Sequence, residues 1–233
     1  NVFRGKTVLL PCDDPEWSNF TKYFAQNFED LGLKKLISTS YAINSKVIKA
    51  GIQTSFLETT SPKFDKSKTN THGKIFVLEK DTTDDGKINL EDLEWDYLEG
   101  DGDFRSEEVK KLRDEADIIV TNPPFSLFRE FLAWIVEADK QFIILGNINC
   151  ITYKEVFPLF KYNKMWLGVT NFNRGMFFRV PDDFEYAPTY KFDKEINGIK
   201  VNRVSGICWY TNIEHGRRHH PLNLLTKEDN IKY

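Results

Sequence analysis

The chain has no apolar run approaching the roughly 20 residues that a membrane-spanning helix requires, and its start lacks the basic, apolar and small-residue succession of a signal peptide. The expected compartment is therefore cytoplasmic, with no membrane partner. Cysteine is scarce. Cys12, Cys150 and Cys208 are far apart, odd in number and without a Cys-x-x-Cys spacing, which argues against a disulfide framework and a thiolate zinc site. They read as ordinary buried thiols. Of four histidines, three lie in the one turn from His215 to His220, with no acidic or thiol partner at ligand spacing, so no metal is expected. There is no internal repeat. Nor is there an excess of basic charge: 32 Lys and Arg against 35 Asp and Glu leave a net charge of −3. That is a mild argument against a nucleic-acid binder, because phosphates are met mainly by Lys and Arg. Positive charge can still be local, as in His215-Gly-Arg217-Arg218-His-His220 and in Lys63, Lys66 and Lys68.

What is present describes one sizeable α/β domain. A length of 233 residues suits a single core with an insert or short appendage, and 40% hydrophobic with 29% charged residues is an ordinary globular composition. The 19 Phe suit either a dense core or a surface that stacks on bases. The chain opens on Asn1 rather than Met, the start expected of a piece of a longer protein.

Residues 7–10, Thr-Val-Leu-Leu, read as a buried strand that runs into Pro11-Cys12-Asp13-Asp14-Pro15. A helix follows, capped by Asp14 or by Ser18, with Phe20, Tyr23, Phe24, Phe28 and Leu31 as its apolar stripe and Gly32 as its stop. Residues 35–39 read as a second strand and residues 42–98 as an elaborated connection with one strand near 74–79. A helix over 107–116, a buried strand over 117–121, a helix over 126–138 and a strand over 141–146 come next. This alternation predicts a mostly parallel, doubly wound sheet covered on both faces, with ligands at the carboxyl ends of its strands. Beyond residue 150 the pattern changes to short aromatic strands, near 164–169, 175–180 and 204–211. The segment 150–233 is expected to complete the sheet and to carry substrate recognition. Trp17, Trp134 and Trp166 read as packing residues.

The strongest chemical signal is the apolar strand that runs straight into Asn122-Pro123-Pro124-Phe125. Two prolines fix the backbone beyond the strand end and push Asn122 out of the helical region. Such a loop suits methyl transfer to an amine conjugated with an aromatic ring, whose delocalised lone pair makes a poor nucleophile. The Asn122 side-chain oxygen and the Pro123 carbonyl can hold the two amine hydrogens while Phe125 stacks on the ring, so that positioning and electrostatics carry the rate.

On Cys-Asp-Asp-Pro-Glu-Trp-Ser-Asn-Phe (12–20), Gly-Asp-Gly-Asp-Phe-Arg-Ser (100–106), Thr-Asn-Pro-Pro-Phe-Ser (121–126) and Trp-Tyr-Thr-Asn-Ile-Glu-His-Gly-Arg-Arg (209–218), the chain resembles the EcoRI-type adenine-specific DNA methyltransferases. The resemblance spans nearly the whole chain. It implies a Rossmann-like S-adenosylmethionine-dependent methyltransferase fold with a seven-stranded sheet, S-adenosylmethionine as cofactor, and an adenine flipped out of double-stranded DNA. It also implies a restriction-modification setting, with a cognate endonuclease as a possible partner. By the same resemblance the first loop (Pro11, Cys12, Asp13, Asp14, with Asn19) and Asn122 hold the cofactor, and Asp103 and Phe104 meet its adenine. Two departures stand out. The first loop is not glycine-rich, and Ser38-Thr39-Ser40 stands where an acidic ribose ligand is often found, so the ribose contact stays unassigned.

Plainer readings accompany these. Asp13 and Asp14 can be helix caps, which is compatible with cofactor binding. His215, Arg217, Arg218 and Lys63 are candidate DNA contacts or simply exposed. Asp81 to Asp92 has the spacing of a calcium loop, but a strand precedes it where a helix is required and Asp stands where a bidentate Glu belongs, so it is rejected. An RNA adenine, a protein glutamine amide, or DNA binding without catalysis are the alternative functions.

Overall fold

The computed structural model describes residues 1–16, 18–42, 63–79, 95–170 and 175–221. The calcium-loop spacing, Trp17 and most of the 42–98 connection lie outside them. No helix among the described residues is long and apolar enough to cross a membrane.

In chain order the body runs β1 (Thr7–Leu10), α1 (Asn19–Gln26), α2 (Phe28–Leu31), β2 (Lys35–Thr39), β3 (Lys74–Leu78) and β4 (Trp95–Tyr97). It continues with α3 (Glu107–Glu115), β5 (Ile118–Thr121), α4 (Phe128–Glu137), β6 (Gln141–Asn147) and α5 (Phe157–Lys161). The last strands are β7 (Trp166–Leu167), β8 (Met176–Arg179), β9 (Glu195–Ile196), β10 (Ile199–Val204) and β11 (Ile207–Thr211). Eight of them form one sheet in the order β4-β3-β2-β1-β5-β6-β11-β7, one strand more than the seven expected. β1, β2, β5 and β6 pair in parallel at its centre. Only β3 and β11 run against the other six, each being antiparallel to both of its neighbours. The sheet is therefore mostly parallel, and its extra strand comes from the β3–β4 pair at the edge beyond β2.

Alternation along the strands divides the core. Leu9, Ile37, Ile119, Phe142 and Ile144 face Val109 of α3 and Phe128, Phe131, Leu132 and Ile135 of α4. Val8, Leu10, Leu36, Ile118 and Val120 face Phe24, Ala25 and Phe28 of the first helices. Helices on both faces make the fold doubly wound. The helix expected over the Phe20–Leu31 stripe is broken: α1 ends at Asn27, and Gly32 closes α2 in the left-handed region at φ 64°. Of the two candidate caps, Ser18 is the one used, its hydroxyl accepting from the Phe20 N–H at 3.0 Å. Tyr23, placed on the apolar stripe by its spacing, is 55% exposed. The single strand expected over 204–211 is two, because Gly206 at φ 75° turns the chain between β10 and β11.

From β1 the chain travels outward through β2, β3 and β4 and then returns to lay β5 on the other side of β1. The loops that leave the carboxyl ends of β1 and β5 therefore diverge. A crevice opens between them, the place where open α/β sheets bind ligands.

One wall of that crevice depends on two glycines. Ser40, just past β2, donates its N–H to the Lys74 carbonyl (2.9 Å), Ala42 donates to the Asp101 carbonyl (2.7 Å), and Gly73 donates to the Gly100 carbonyl (2.9 Å). In this knot a Cβ on Gly102 would stand 2.1 Å from the Ser40 carbonyl oxygen, and one on Gly73 would stand 2.4 Å from the same atom. Gly102 also holds φ 79°, where an L side chain is strained. Gly102→Ala is expected to lower unfolding stability by about 2–5 kcal/mol, combining left-handed strain with overpacking. Urea unfolding of the variant beside its parent measures this, and a change below about 0.5 kcal/mol would mean that the three loops are not in close contact.

Candidate active site

The crevice is a cleft of about 500 Å³ lined by Pro11, Cys12, Tyr41, Gly102, Asp103, Phe104, Arg105, Asn122, Pro123, Pro124, Ser126 and Leu127. It thus joins the loops after β1, β2 and β5 with the turn before α3. Its size falls in the roughly 300–1,000 Å³ range of small-molecule and cofactor sites.

The loop after β5 owes its shape to its sequence. Thr121 ends the strand fully buried, Pro123 is buried, and Asn122, Pro124 and Phe125 are exposed. Pro124 is extended at φ −62°, ψ 117°, and its carbonyl accepts the Leu127 N–H at 2.9 Å, closing a single 3-10 turn over Phe125–Leu127. α4 then begins at Phe128, which is 1% exposed and packs 5.4 Å from the Tyr210 ring and across Gly146, where a Cβ would meet it at 2.5 Å. The two phenylalanines divide the work: Phe128 anchors the loop in the core, and Phe125 presents a ring that is 43% exposed at its tip.

Asp103 and Phe104 come from the turn before α3. Phe104 is buried edge-on against Phe131 (5.1 Å) and Trp134 (5.7 Å), so it forms a fixed apolar wall. The Asp103 carboxylate receives the Arg105 side chain through both oxygens, at 2.9 and 2.7 Å, and the Arg105 backbone N–H at 2.8 Å. This pairing with Arg105 holds the Asp103 carboxyl below its usual value. An ionised carboxylate only accepts hydrogen bonds, and it has about four acceptor positions, so it can still take an amino hydrogen from the cleft.

The first loop divides in two. Pro11 and Cys12 line the cleft, whereas Asp13, Asp14 and Asn19 do not. Asp13 is 5% exposed, and its carboxylate accepts from the Thr121 hydroxyl at 2.5 Å and the Ser18 hydroxyl at 2.7 Å. Its backbone N–H donates to the Thr39 carbonyl at 3.0 Å, and its carbonyl accepts from the Ser38 hydroxyl at 2.5 Å. Asp14 accepts the Glu16 N–H at 2.9 Å, and Glu16 pairs at 2.7 Å with Lys74, whose ammonium lies 4.9 Å over Trp95. Asn19 is the exposed first residue of α1. The acidic pair therefore holds the loop in place from behind, while Pro11 and Cys12 form its face. None of the three cysteines is in a disulfide, and Cys12, expected to be buried, is only half-buried because it lines the cleft.

The candidate DNA contacts do not reach this cleft. His215 donates through Nε2 to the Leu167 carbonyl (2.9 Å), and Arg217 donates to the Val169 carbonyl. Arg218 bonds Glu214 and Asn163 and lies 3.7 Å over the Trp166 ring. Lys63 meets Asp96 at 3.5 Å. These cations have partners within the chain, and the segment after β11 leaves the sheet at the amino end of β6, where Thr211 pairs with Ile143. Tyr41, Gly102, Arg105, Ser126 and Leu127 are the cleft residues that spacing alone did not assign. Gly102 and Arg105 sit inside the quoted Gly-Asp-Gly-Asp-Phe-Arg run, which was the available signal.

An open doubly wound sheet with its cleft at the switch point, walled by Asn122, Pro123 and Pro124 with Phe125 exposed just outside the lining, has the architecture of a Rossmann-like methyltransferase. The chain belongs to the EcoRI adenine-specific methyltransferase family, whose model, described as Adenine-specific methyltransferase EcoRI, matches residues 1–233. It is 42% identical over 227 residues to the type II methyltransferase M.EcoRI of Escherichia coli, covering 97% of this chain and 63% of that protein. It is 34% identical over 233 residues to M.MpnI of Mycoplasma pneumoniae, covering 97% and 59%, and 33% identical over 219 residues to M.MgeORF184P of Mycoplasma genitalium, covering 94% and 57%. The chain thus spans about three-fifths of the length of these relatives. No solved structure matches it significantly.

Asp13 makes the site pH-sensitive in a defined direction. Burial pushes its carboxyl up from 3.8 to about 6, against the opposing hydroxyls of Thr121 and Ser18. Between those values the folded chain carries a proton that the unfolded chain has released. The associated stability is complete below the lower value and is lost as pH rises through about 6. Asp13→Asn is expected to remove this dependence, so that its stability relative to the parent rises between about pH 4 and pH 6, by order 3 kcal/mol, and is level above. Urea unfolding of both proteins across that range reads the difference directly, and curves that stay parallel would place the titration elsewhere.

Proposed function

We propose that this chain carries the catalytic core of a DNA adenine methyltransferase that transfers a methyl group from S-adenosylmethionine to the exocyclic amine of an extruded adenine. The observation that carries this reading is the strand-end turn Asn122-Pro123-Pro124-Phe125, of which the first three residues line a cofactor-sized cleft and Phe125 stands exposed beside it. Family membership supports the same chemistry, and methyltransferases in general use this cofactor.

The residues present fit such a cofactor. Phe104, Pro11, Pro123 and Leu127 supply apolar walls, Gly102 keeps one wall free of a side chain, and the ionised Asp103 offers an acceptor at one end of the cleft. Tyr41, just past β2, brings a hydroxyl-bearing side chain to the place where an acidic ribose ligand would stand, and we assign it the ribose contact. The bound cofactor would supply an electrophilic methyl group on a sulfonium.

The chain's own part is orientation. The Asn122 amide oxygen and the Pro123 carbonyl accept the two amine hydrogens, which draws the nitrogen toward pyramidal geometry and frees its lone pair. Phe125 stacks on the base from the open side, and extrusion from the duplex is what brings the amine within reach. The spare proton leaves once the nitrogen has been methylated. A glutamine amide or an RNA adenine would engage the same two acceptors, so acceptor identity is decided by assay.

The experiment is calorimetric titration with S-adenosylmethionine followed by methyl incorporation into duplex DNA, RNA and protein acceptors. Binding with incorporation at DNA adenine is expected, and incorporation confined to RNA or protein would replace the acceptor. Asn122→Ala is expected to bind cofactor nearly as the parent does while turnover falls at least about a hundredfold, the scale of one lost preorganised contact. Near-parental turnover would refute the role given to Asn122.

A further inference from the structure

Between β7 and β11 the chain leaves the main sheet and forms a second antiparallel sheet in the order β8-β10-β9. Register fixes where this ribbon stands. β11 opens with Ile207 opposite Asn147, the last residue of β6, and Ile148 donates its N–H to the Gly206 carbonyl at 2.9 Å. β6 runs parallel to β5, whose carboxyl end carries Asn122. The ribbon therefore projects from the same edge of the sheet as the turn after β5, with one strand, β6, between them.

Its surface is unusual for an edge. Phe177 and Phe178 are neighbours on β8 and so point to opposite faces, yet they are 41% and 40% exposed. Nothing within the described residues covers either face at that point. Ile199 (46%) and Val204 (37%) extend the exposed apolar area along β10. Apolar side chains exposed on both faces of one ribbon mark a contact site. The charge says what kind. β8 reads Met-Phe-Phe-Arg and β10 reads Ile-Lys-Val-Asn-Arg-Val; Glu195 of β9 stands opposite Lys200, so the cations on the β8 side of the ribbon are Arg179 and Arg203, and these two strands hold no acidic residue. In the register Arg203 lies opposite Phe177 and Arg179 opposite Val201, so cations flank the rings. A polyanion with flat apolar faces complements this pattern, and a two-stranded ribbon is narrow enough for a DNA groove.

The ribbon is also held rigidly. The Tyr186 hydroxyl donates to the Val201 carbonyl at 2.7 Å, and the Tyr190 hydroxyl accepts the Arg203 N–H at 2.8 Å. Arg203 lies 4.1 Å over the Phe192 ring. Preorganisation of this sort reduces the ordering cost of binding.

We infer that the β8–β10 ribbon is a duplex-DNA contact beside the target base, with Arg179 on the phosphates and Phe177 and Phe178, one on each face of the ribbon, against the bases next to the extruded adenine. This rests on the reading of the chain as a DNA methyltransferase and adds the element that grips the duplex. Apolar side chains that enter a base step unstack it, which lowers the cost of extruding the neighbouring base.

The test uses the full-length protein, a fluorescein-labelled mixed-sequence duplex of about 30 base pairs, and unmethylated plasmid DNA as methyl acceptor. Phe177→Ala/Phe178→Ala is expected to weaken duplex binding, and to raise the KM for DNA, by at least about tenfold, the loss that one aromatic–base stack carries. Its S-adenosylmethionine affinity and Tm should stay parental. Phe178→Trp should retain binding and add, above the emission of the five native Trp, an indole contribution that is quenched on adding duplex, read as the difference from the parent titrated in parallel. Parental DNA affinity and KM in the double variant would overturn the inference. So would a parent that dimerises, with a double variant that is monomeric at parental DNA affinity, since the ribbon would then bind a second copy of the chain. If the parent binds duplex without methylating it and the double variant loses that binding, the ribbon stands and the catalytic reading falls.

Discussion

Asp13 lies where the carboxyl ends of three strands and the start of a helix converge, and its hydrogen bonds tie the loop that leaves β1 to the other three. Its backbone pairs with Thr39 and Ser38 at the end of β2, one oxygen accepts from Ser18 at the cap of α1, and the other accepts from Thr121, which directly precedes Asn122. Ser38 is in turn tied to Thr21 of α1 through a 2.7 Å hydroxyl pair. A buried carboxylate is costly unless donors surround it, and these donors are supplied by elements that must sit at fixed positions for the cost to be offset. The loop after β1 and the turn after β5 thus share one anchor. A displacement of either changes the hydrogen bonding of the other.

This anchor explains how the first loop can do without glycines. A glycine-rich turn lets backbone approach a ligand closely, at the expense of conformational freedom lost on folding. Here the loop is instead stiffened by Pro11 and Pro15 and held from behind by Asp13 and by the Glu16–Lys74 pair. Close backbone approach is moved across the cleft to Gly73 and Gly102, which pack onto the Ser40 carbonyl where no Cβ fits. The antiparallel β3–β4 pair makes this possible, because Gly73 directly precedes β3 and Leu98, just past β4, donates back to the Gly73 carbonyl at 2.8 Å. The additional edge strand is therefore tied to the wall of the cleft.

Local patterns in the sequence were enough to place β1, β2, β5, β6 and the helices between them, since each has its own periodicity and punctuation. The turn at Asn122–Phe125 was equally legible, because two prolines determine a backbone without help from elsewhere. What could not be read were the features that need distant partners. Asp13 and Asp14 look alike in sequence, and only the fold shows that Asp13 meets Thr121, 108 positions on. Arg217 and Arg218 look like free cations until β7 brings Val169, Asn163 and Trp166 beside them. Tyr41 carries no motif, and it reaches the cleft because β2 ends there. The break in the first helix at Asn27 and the division of 204–211 at Gly206 are boundary effects of the same origin, in which tertiary packing overrode a continuous pattern.

Net charge is the remaining tension, since under the proposed function a chain at −3 approaches a polyanion. The arrangement of the cations removes much of it. Arg105, Arg113, Lys74 and Arg218 each serve an internal carboxylate or aromatic ring, so total charge says little about the field at any one edge. At the carboxyl edge the two longer strands of the ribbon carry cations only. A local field is what steers a duplex, because screening at physiological salt confines electrostatic influence to about 8 Å. On the proposed reading weak overall attraction also has a use, because binding that owes more to stacking at one ribbon than to diffuse charge would be reversible and less dependent on salt.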